Sequence, residues 1–418
     1  MTLQQVLTEL KLDLDPELLA PHWDEDVASL PDVPELLRPE VFLALRDYVR
    51  IDPAVDSLIE QVAATTRASE ALRTLFWHCH SLLFRHLDYP GGQTKQWPVL
   101  DGIFGDLHGV FYLLMSLGAV PLMQEKHRAR GIPDEITRGV AGNYEELIWD
   151  FQQLNNGLWG ADLRVLYWLR HDSEGELYRV GRMEYMNRPF GGRLQAYRSR
   201  ATGEVLALSE DGVSYTADGY IGGPGGADAP GGWTASLQVD DERARGCLIH
   251  PLGHALPETV ELSLSEWECV LQRGDHVLDT HIPGGGGFLP ERCRDSMRQA
   301  AAFFARYFPE QPFAGFGCMS WILNPQWHVV YKAENNMTKW QQEMYLFPIQ
   351  SGGRDGLHFL FATQDVDLAT APRDTSMRRA VLDWLLAGKW LRGGGAFMLT
   401  EQLDGYGCQF YRSQPRFA

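Results

Sequence analysis

His281-Ile-Pro-Gly-Gly-Gly-Gly-Phe-Leu-Pro290 joins two segments of different periodicity. Before it, His276–Ile282 is rich in β-formers and reads as a strand. After it, Cys293, Met297, Ala300, Ala301 and Phe304 recur at helical spacing, which predicts a helix from Pro290 to about Phe308 with those residues inside. Glycines without Cβ atoms let a backbone approach a ligand closely and turn several N–H groups to one side. The helix behind them adds unpaired N–H groups and the positive end of its dipole. The run is therefore a candidate cradle for a phosphate or pyrophosphate, with Glu291 partly offsetting the attraction. No Gly-Lys-Ser/Thr follows it, and it is not G-x-G-x-x-G. A plain flexible turn explains the four glycines equally well.

Working outward, Phe313–Leu323 and Leu357–Thr363 read as strands, Ser376–Leu391 as a helix, and Ala396–Thr400 as a closing strand after Gly393-Gly-Gly395. Upstream, Leu177–Met186 alternates as a strand should. Gly192–Arg198 and Glu204–Leu208 flank a Thr202-Gly203 turn and predict a hairpin, and a glycine- and proline-rich loop runs from Gly222 to Gly232. The beginning of the chain differs. Leu72, Leu75, Phe76, Cys79, Leu82 and Leu83 share one helical face, and further helical runs cover about 39–50, 54–66, 101–118, 134–153 and 161–171. The expected fold class is α+β or mixed α/β: a helical domain over 1–155, then a domain with a central mixed sheet over 156–418.

The 418 residues carry 37 Lys+Arg against 55 Asp+Glu, a formal charge of −18. That balance argues against nucleic acid or an anionic membrane surface as main partner, because phosphate binding needs clustered cations. It leaves room for a local cationic pocket. The 6 cysteines show no zinc-ligand spacing. No cationic start followed by an apolar run opens the chain, and the apolar stretches read as interrupted before membrane-spanning length. A soluble, cytoplasmic protein with reduced thiols is expected. His78-x-His80 tempts a metal reading, but positions i and i+2 lie about 200° apart around a helix and His86 is two turns away from His78. No metal site is expected there. Glu334-Asn-Asn336 and Trp340-Gln-Gln342 are polar-aromatic clusters suited either to substrate or to a turn and a surface helix.

Four motifs, in order, carry a resemblance. They are Val180-Gly-Arg-Met-Glu-Tyr185; Gly274-Asp-His-Val-Leu-Asp-Thr-His-Ile-Pro283; Cys293-Arg-Asp-Ser296 with Ala300-Ala-Ala-Phe-Phe304; and Phe316-Gly-Cys-Met-Ser-Trp-Ile-Leu-Asn-Pro325. Together they resemble the bacterial two-domain acyltransferase-like family, which joins an N-acyltransferase N-terminal helical domain to a GNAT-like C-terminal domain. The resemblance implies an acyl-CoA co-substrate, most simply acetyl-CoA, without a metal. It places the CoA pyrophosphate on the loop Gly284, Gly285, Gly286 and Gly287, with Ser296 on the following helix grouped with them. The Gln or Arg that leads this loop in related folds is missing here.

The implied reaction is direct attack of an amine on the thioester carbonyl. It needs a base for the amine proton, a donor for the oxyanion and an acid for the leaving thiolate. Glu184 is the candidate base, or else an outward, solvated Glu. His281, ending its strand just before the glycines, reaches the thioester region or serves as a hydrogen-bonded structural His. Tyr331 stands where such enzymes place their acid. Cys318 offers a different route, a thiolate forming an acyl-enzyme with His281 in a cysteine-dependent acyl hydrolase, unless it is a small packing residue. A degenerate fold that binds a ligand or partner without turnover is the other alternative. The acceptor, the acyl-chain length and the oligomeric state are not legible in these residues.

Overall fold

The computed structural model describes residues 1–223, 230–284, 287–332 and 334–417. The chain forms two compact units, Met1–Arg179 and Val180–Ala418. The first reaches past 155 because Ala161, Leu166 and Leu169 belong to its hydrophobic core.

The first unit is helical. Ser69 caps the helix Glu70–Phe84 by accepting from the Leu72 N–H. The face read from the sequence is its buried face: Leu72 is 2% exposed, and Leu75, Phe76, Cys79, Leu82 and Leu83 are 0%. One expectation is corrected here. Asp101–Ala129 is long and apolar enough to cross a membrane, yet 67% of its most apolar window is buried inside the protein. Val110, Phe111, Leu113, Leu114 and Met115 are all core residues, so the run behaves as the central helical segment of a globular unit.

The second unit is built on two main sheets, with a two-stranded ribbon of Ser214–Tyr215 and Trp233–Thr234 beside them in sequence. Its strands are β1 (Met183–Pro189), β2 (Leu194–Ser199), β3 (Val205–Ser209), β4 (Leu237–Val239), β5 (Arg243–His250), β6 (His254–Ser263), β7 (Trp267–Gln272), β8 (His276–His281), β9 (Gly315–Ser320), β10 (Tyr345–Phe347) and β11 (Gly394–Leu399). One sheet has the order β1-β8-β9-β11-β10; the other runs β7-β2-β3-β5-β4, with β6 pairing β5. In the first, only the β8–β9 contact is parallel among the described residues. That single parallel pair needs a crossover, and the helix Pro290–Tyr307 supplies it. The expected central mixed sheet is therefore present.

The two faces of this sheet bury different groups. Tyr185 and Phe316 pack edge-on at 6.0 Å on the face that also receives Ser296 of the crossover helix. On the other face Tyr345 stacks on Phe397 at 4.9 Å, and its hydroxyl donates to Ile249 O (2.5 Å) in the second sheet. Gly315 sits where an added Cβ would meet Met398 O at 2.2 Å, which fixes glycine in the middle of the sheet.

Several local expectations differ. Leu177–Met186 is not one strand, because Gly181 turns the chain at φ +70° between Tyr178–Val180 and β1. Leu357–Thr363 is not a strand: Leu357–Phe361 is a short helix opened by Gly356 at φ +88° and closed by Ala362 at φ +58°. A short apolar run carries no periodicity that separates the two states. The strand beside β11 is Tyr345–Phe347, and the helix begun at Ser376 ends at Leu386. The predicted hairpin is β2–β3, in register from Leu194↔Ser209 to Arg198↔Val205.

Candidate functional site

The antiparallel register of β1 and β8 sets His281 directly opposite Glu184, and Asp279 opposite Met186. Side chains directly opposite each other stand on one face with Cβ atoms about 4.5–5.5 Å apart. Strand alternation adds Asp279 to that face, two residues before His281. Asp279 Oδ2 lies 3.2 Å from His281 Nε2. Glu184 is buried at 4% exposure, so the outward, solvated reading of this residue is corrected. Two carboxylates and an imidazole thus converge at the carboxyl end of the one parallel strand pair. Asp279 was not singled out from the sequence, although its spacing of two from His281 on a strand is a usable signal.

The β8–β9 ladder consists of Leu278↔Phe316 and Asp279↔Gly317. Both strands continue, β8 to His281 and β9 to Ser320, without pairing further. The sheet therefore opens between them where Glu184, Asp279 and His281 cluster. Ligands of open α/β sheets bind at such carboxyl ends.

The loop after β8 leads to the helix Pro290–Tyr307, which has Pro290 in its first turn and no side-chain cap. Among the described residues no side chain caps its leading N–H groups, the kind of donors that anions meet at a helix N-terminus. Of the four glycines, Gly284 is exposed and Gly287 adopts φ +65°, while Gly285 and Gly286 lie outside the described residues. Arg182, in the turn before β1, donates from Nε to Gly287 O (2.7 Å) and holds its guanidinium 5.5 Å from the Phe288 ring centroid. A cation thus stands beside the loop from 105 residues upstream, a contact that spacing in the sequence does not announce.

Ser296 lies deeper. Its hydroxyl donates to Val180 O (2.5 Å) and accepts from Met183 N–H (3.1 Å) and the Tyr185 hydroxyl (2.8 Å). These three bonds fix the helix to the start of β1, and the residue is 1% exposed. Tyr331 lies on the turn His328–Lys332, with its hydroxyl 2.8 Å from Ser376 Oγ. Cys318 is 3% exposed, paired with Ala396. By strand alternation it stands on the helix-covered face, opposite to the face of His281. Burial, with the Asp279 carboxylate adding to it, pushes the Cys318 thiol far above its ordinary value. A thiolate nucleophile with His281 as its base does not fit this arrangement.

The polar-aromatic clusters are structural. Asn335 caps the helix Asn336–Gln342 by accepting from Thr338 N–H, and Gln341 donates to Asn324 O (2.6 Å). Trp340 is fully buried. A surface groove of about 490 Å³ lies elsewhere, lined by Arg198, Arg200, Glu268 and Glu401 among others. Its arginines are paired with Glu268 and Glu401, so it presents no uncommitted charge to a ligand.

In the first unit, His22, His86 and Asp88 bring ligand-type atoms within 4.8 Å of one another. The His22 and His86 rings stack at 3.9 Å and 3°. Imidazole lone pairs lie in the ring plane, so one ion cannot sit in two parallel planes that far apart. The cluster works instead through hydrogen bonds, His22 Nε2 to Asp88 (2.9 Å) and His86 Nε2 to Asp26 (2.9 Å).

Comparison with known proteins bears on the two domains. The GNAT-like C-terminal domain matches residues 177–398, and the N-acyltransferase N-terminal domain matches residues 43–141. No curated protein matches. Among solved structures, an acyltransferase in complex with decanoyl-CoA and teicoplanin is 19% identical, covering 96% of this chain and 99% of that one, with a TM-score of 0.64. An acyltransferase in complex with CoA and 10C-teicoplanin is 20% identical with the same coverage and TM-score. At such identity the likeness is one of fold.

Proposed function

The chain belongs to the GNAT-like C-terminal domain family, and on that premise we propose that it transfers an acyl group from acyl-CoA to an amine. The observation that carries the reading is the register His281↔Glu184 beside the open β8–β9 end. It sets proton-accepting groups next to a gap in the sheet and one loop away from a helix N-terminus.

In this reading the pyrophosphate rests on the N-terminus of Pro290–Tyr307, with Arg182 nearby. The amide groups of the pantetheine arm pair with backbone in the gap, and the thioester comes to lie by Glu184. The amine nitrogen attacks the carbonyl carbon and its proton passes to Glu184. The C–S bond then breaks, and CoA leaves as thiol once the thiolate is protonated. His281, between Glu184 and Asp279, is the second group able to carry the proton. The solved neighbours were captured with decanoyl-CoA and octanoyl-CoA, which supports a donor range that extends beyond acetyl. All 6 cysteines are free, which supports a reducing, cytoplasmic setting.

The test is calorimetric titration with CoA, acetyl-CoA and decanoyl-CoA, followed by a thioester-cleavage assay over a panel of amines. No CoA binding to the folded protein overturns the reading. Arg182→Gln is expected to weaken CoA binding about tenfold, the loss of one charge-assisted phosphate contact. An unchanged CoA affinity in that variant removes Arg182 from the donor site.

The covalent route gives a separate prediction. Incubation with acyl-CoA alone is expected to add no acyl mass to the protein, and Cys318→Ala to retain most transfer, with a small stability loss because little volume is removed. Intact-protein mass spectrometry decides it, and a stoichiometric adduct mapping to Cys318 overturns direct transfer.

A further inference from the structure

Arg392 is 9% exposed, among the least exposed of the cations in the second unit. Buried charges are normally paired, because an uncompensated one costs far more than a satisfied one. Arg392 has no carboxylate within ion-pair distance among the described residues. Its guanidinium lies over the Tyr220 ring at 4.6 Å, and its one hydrogen bond among the described residues is long, Nη1 to Gly222 O at 3.5 Å. Asp218 and Asp355 act on it only from a distance. Asp355 already accepts from Ser351 Oγ at 2.5 Å. Burial outweighs those carboxylates and Tyr220 and pulls the guanidinium below its ordinary value. A structural arginine in this same chain looks different: Arg170 donates to Leu83 O, Tyr89 O and Leu82 O at 2.6–2.8 Å.

The position matters as much as the burial. Ser320, the last residue of β9, pairs with Gly394, the first of β11. Arg392 precedes that residue by two, at the sheet end where β8 finishes at His281 opposite Glu184. His281 stands level with Met319 and Arg392 with Ile322, so two strand spacings of ~4.8 Å and three residues of ~3.3 Å put the two backbones on the order of 14 Å apart. The donor loop follows β8, on one side of the open gap, whereas Arg392 stands beyond β9 on the other. An acceptor that attacks the thioester from the side away from the CoA arm meets this arginine.

We infer that Arg392 binds an anionic group of the acyl acceptor, a carboxylate or a phosphate, and so selects amines that carry a negative charge. The inference rests on the acyl-transfer reading. Tyr220 covers one face of the guanidinium, and its planar fork suits a bidentate oxyanion.

The test uses the full chain with CoA saturating, so that the donor site is filled, and titrates acetate and inorganic phosphate as probes. The wild type is expected to bind at least one of them saturably and to gain thermal stability with its concentration. Arg392→Gln is expected to weaken that binding at least tenfold while leaving CoA affinity within twofold. In anion-free buffer it is expected to melt no lower than the wild type, since an uncompensated buried charge has been removed. Arg392→Lys keeps the charge and is expected to retain part of the binding, which covers the case of a glutamine variant that fails to fold. A wild type that binds neither probe, or an Arg392→Gln protein that binds them equally well, overturns the inference. A selective loss of CoA affinity that vanishes with dephospho-CoA also overturns it, by assigning Arg392 to the donor's 3′-phosphate. Failure of the wild type to bind CoA is a separate result, which tests the acyl-transfer reading alone.

Discussion

Replacing Glu184 by Gln is expected to lower acyl transfer by ~10²–10⁴-fold, the range for loss of a general base. The side chain keeps its shape but can no longer take the amine proton. CoA affinity is expected to stay nearly constant, because the pyrophosphate site proposed at the helix N-terminus is separate from Glu184. The measurement is steady-state kinetics beside calorimetry on the same variant, which separates kcat from donor binding. His281→Ala is the companion variant: its imidazole sits directly opposite Glu184 in the β1–β8 register. If Glu184→Gln retains full activity at neutral pH, Glu184 is not the base, and a fall in His281→Ala transfers that role across the strand pair.

The second large effect is on stability, in the helical unit. Asp26 is 2% exposed and accepts from His78 Nδ1 (2.8 Å) and His86 Nε2 (2.9 Å). The other nitrogen of His78 faces Leu19 O at 2.8 Å, and a carbonyl can only accept. Both His78 nitrogens thus face oxygen atoms, and a fully buried imidazole stands against a buried carboxylate. Asp26→Ala leaves two buried or half-buried histidines without their carboxylate partner and is expected to cost about 3–5 kcal/mol in urea unfolding. Asp26→Asn, which keeps one acceptor oxygen, is expected to cost less.

The pH dependence follows from the same contacts. Burial by itself would raise the Asp26 carboxyl, but the hydrogen bonds from His78 and His86 together outweigh it and hold the group below 3.8. A depressed carboxylate contributes stability that is fully present above its unfolded value and is lost as the pH falls through the folded one. The wild type is thus expected to lose this contribution below about pH 4, and Asp26→Ala to lack that acid-linked loss. An Asp26→Ala protein as stable as the wild type at pH 7 would show that the pair contributes nothing.

Much of the fold was legible in the residues. The 3.6-residue spacing of Leu72 to Leu83 is a local property, and it marks the face that is buried. Strand, glycine run and amphipathic helix from His276 to Tyr307 likewise follow from periodicity and punctuation, and they imply the parallel crossover. Leu357–Phe361 was misread because five residues, four of them apolar, satisfy either state.

The sequence alone determined that Glu184 and His281 each lie on a strand. Only tertiary structure decided that these strands are antiparallel neighbours in the one register that sets the two residues opposite each other. A shift by one residue would have put them on different faces, and register comes from long-range packing rather than from either strand. For the same reason Cys318 could be seen as a nucleophile in the sequence, while alternation along β9 turns it to the helix-covered side. Arg182 lies in one of the quoted motifs, Val180–Tyr185, that says nothing of the loop it meets, and Arg392 lies in none. One meets Gly287 across a turn, and the other is buried over Tyr220 without a carboxylate within reach. Whether a charge is paired depends on what the folded chain brings within a few ångströms of it, and no linear pattern encodes that.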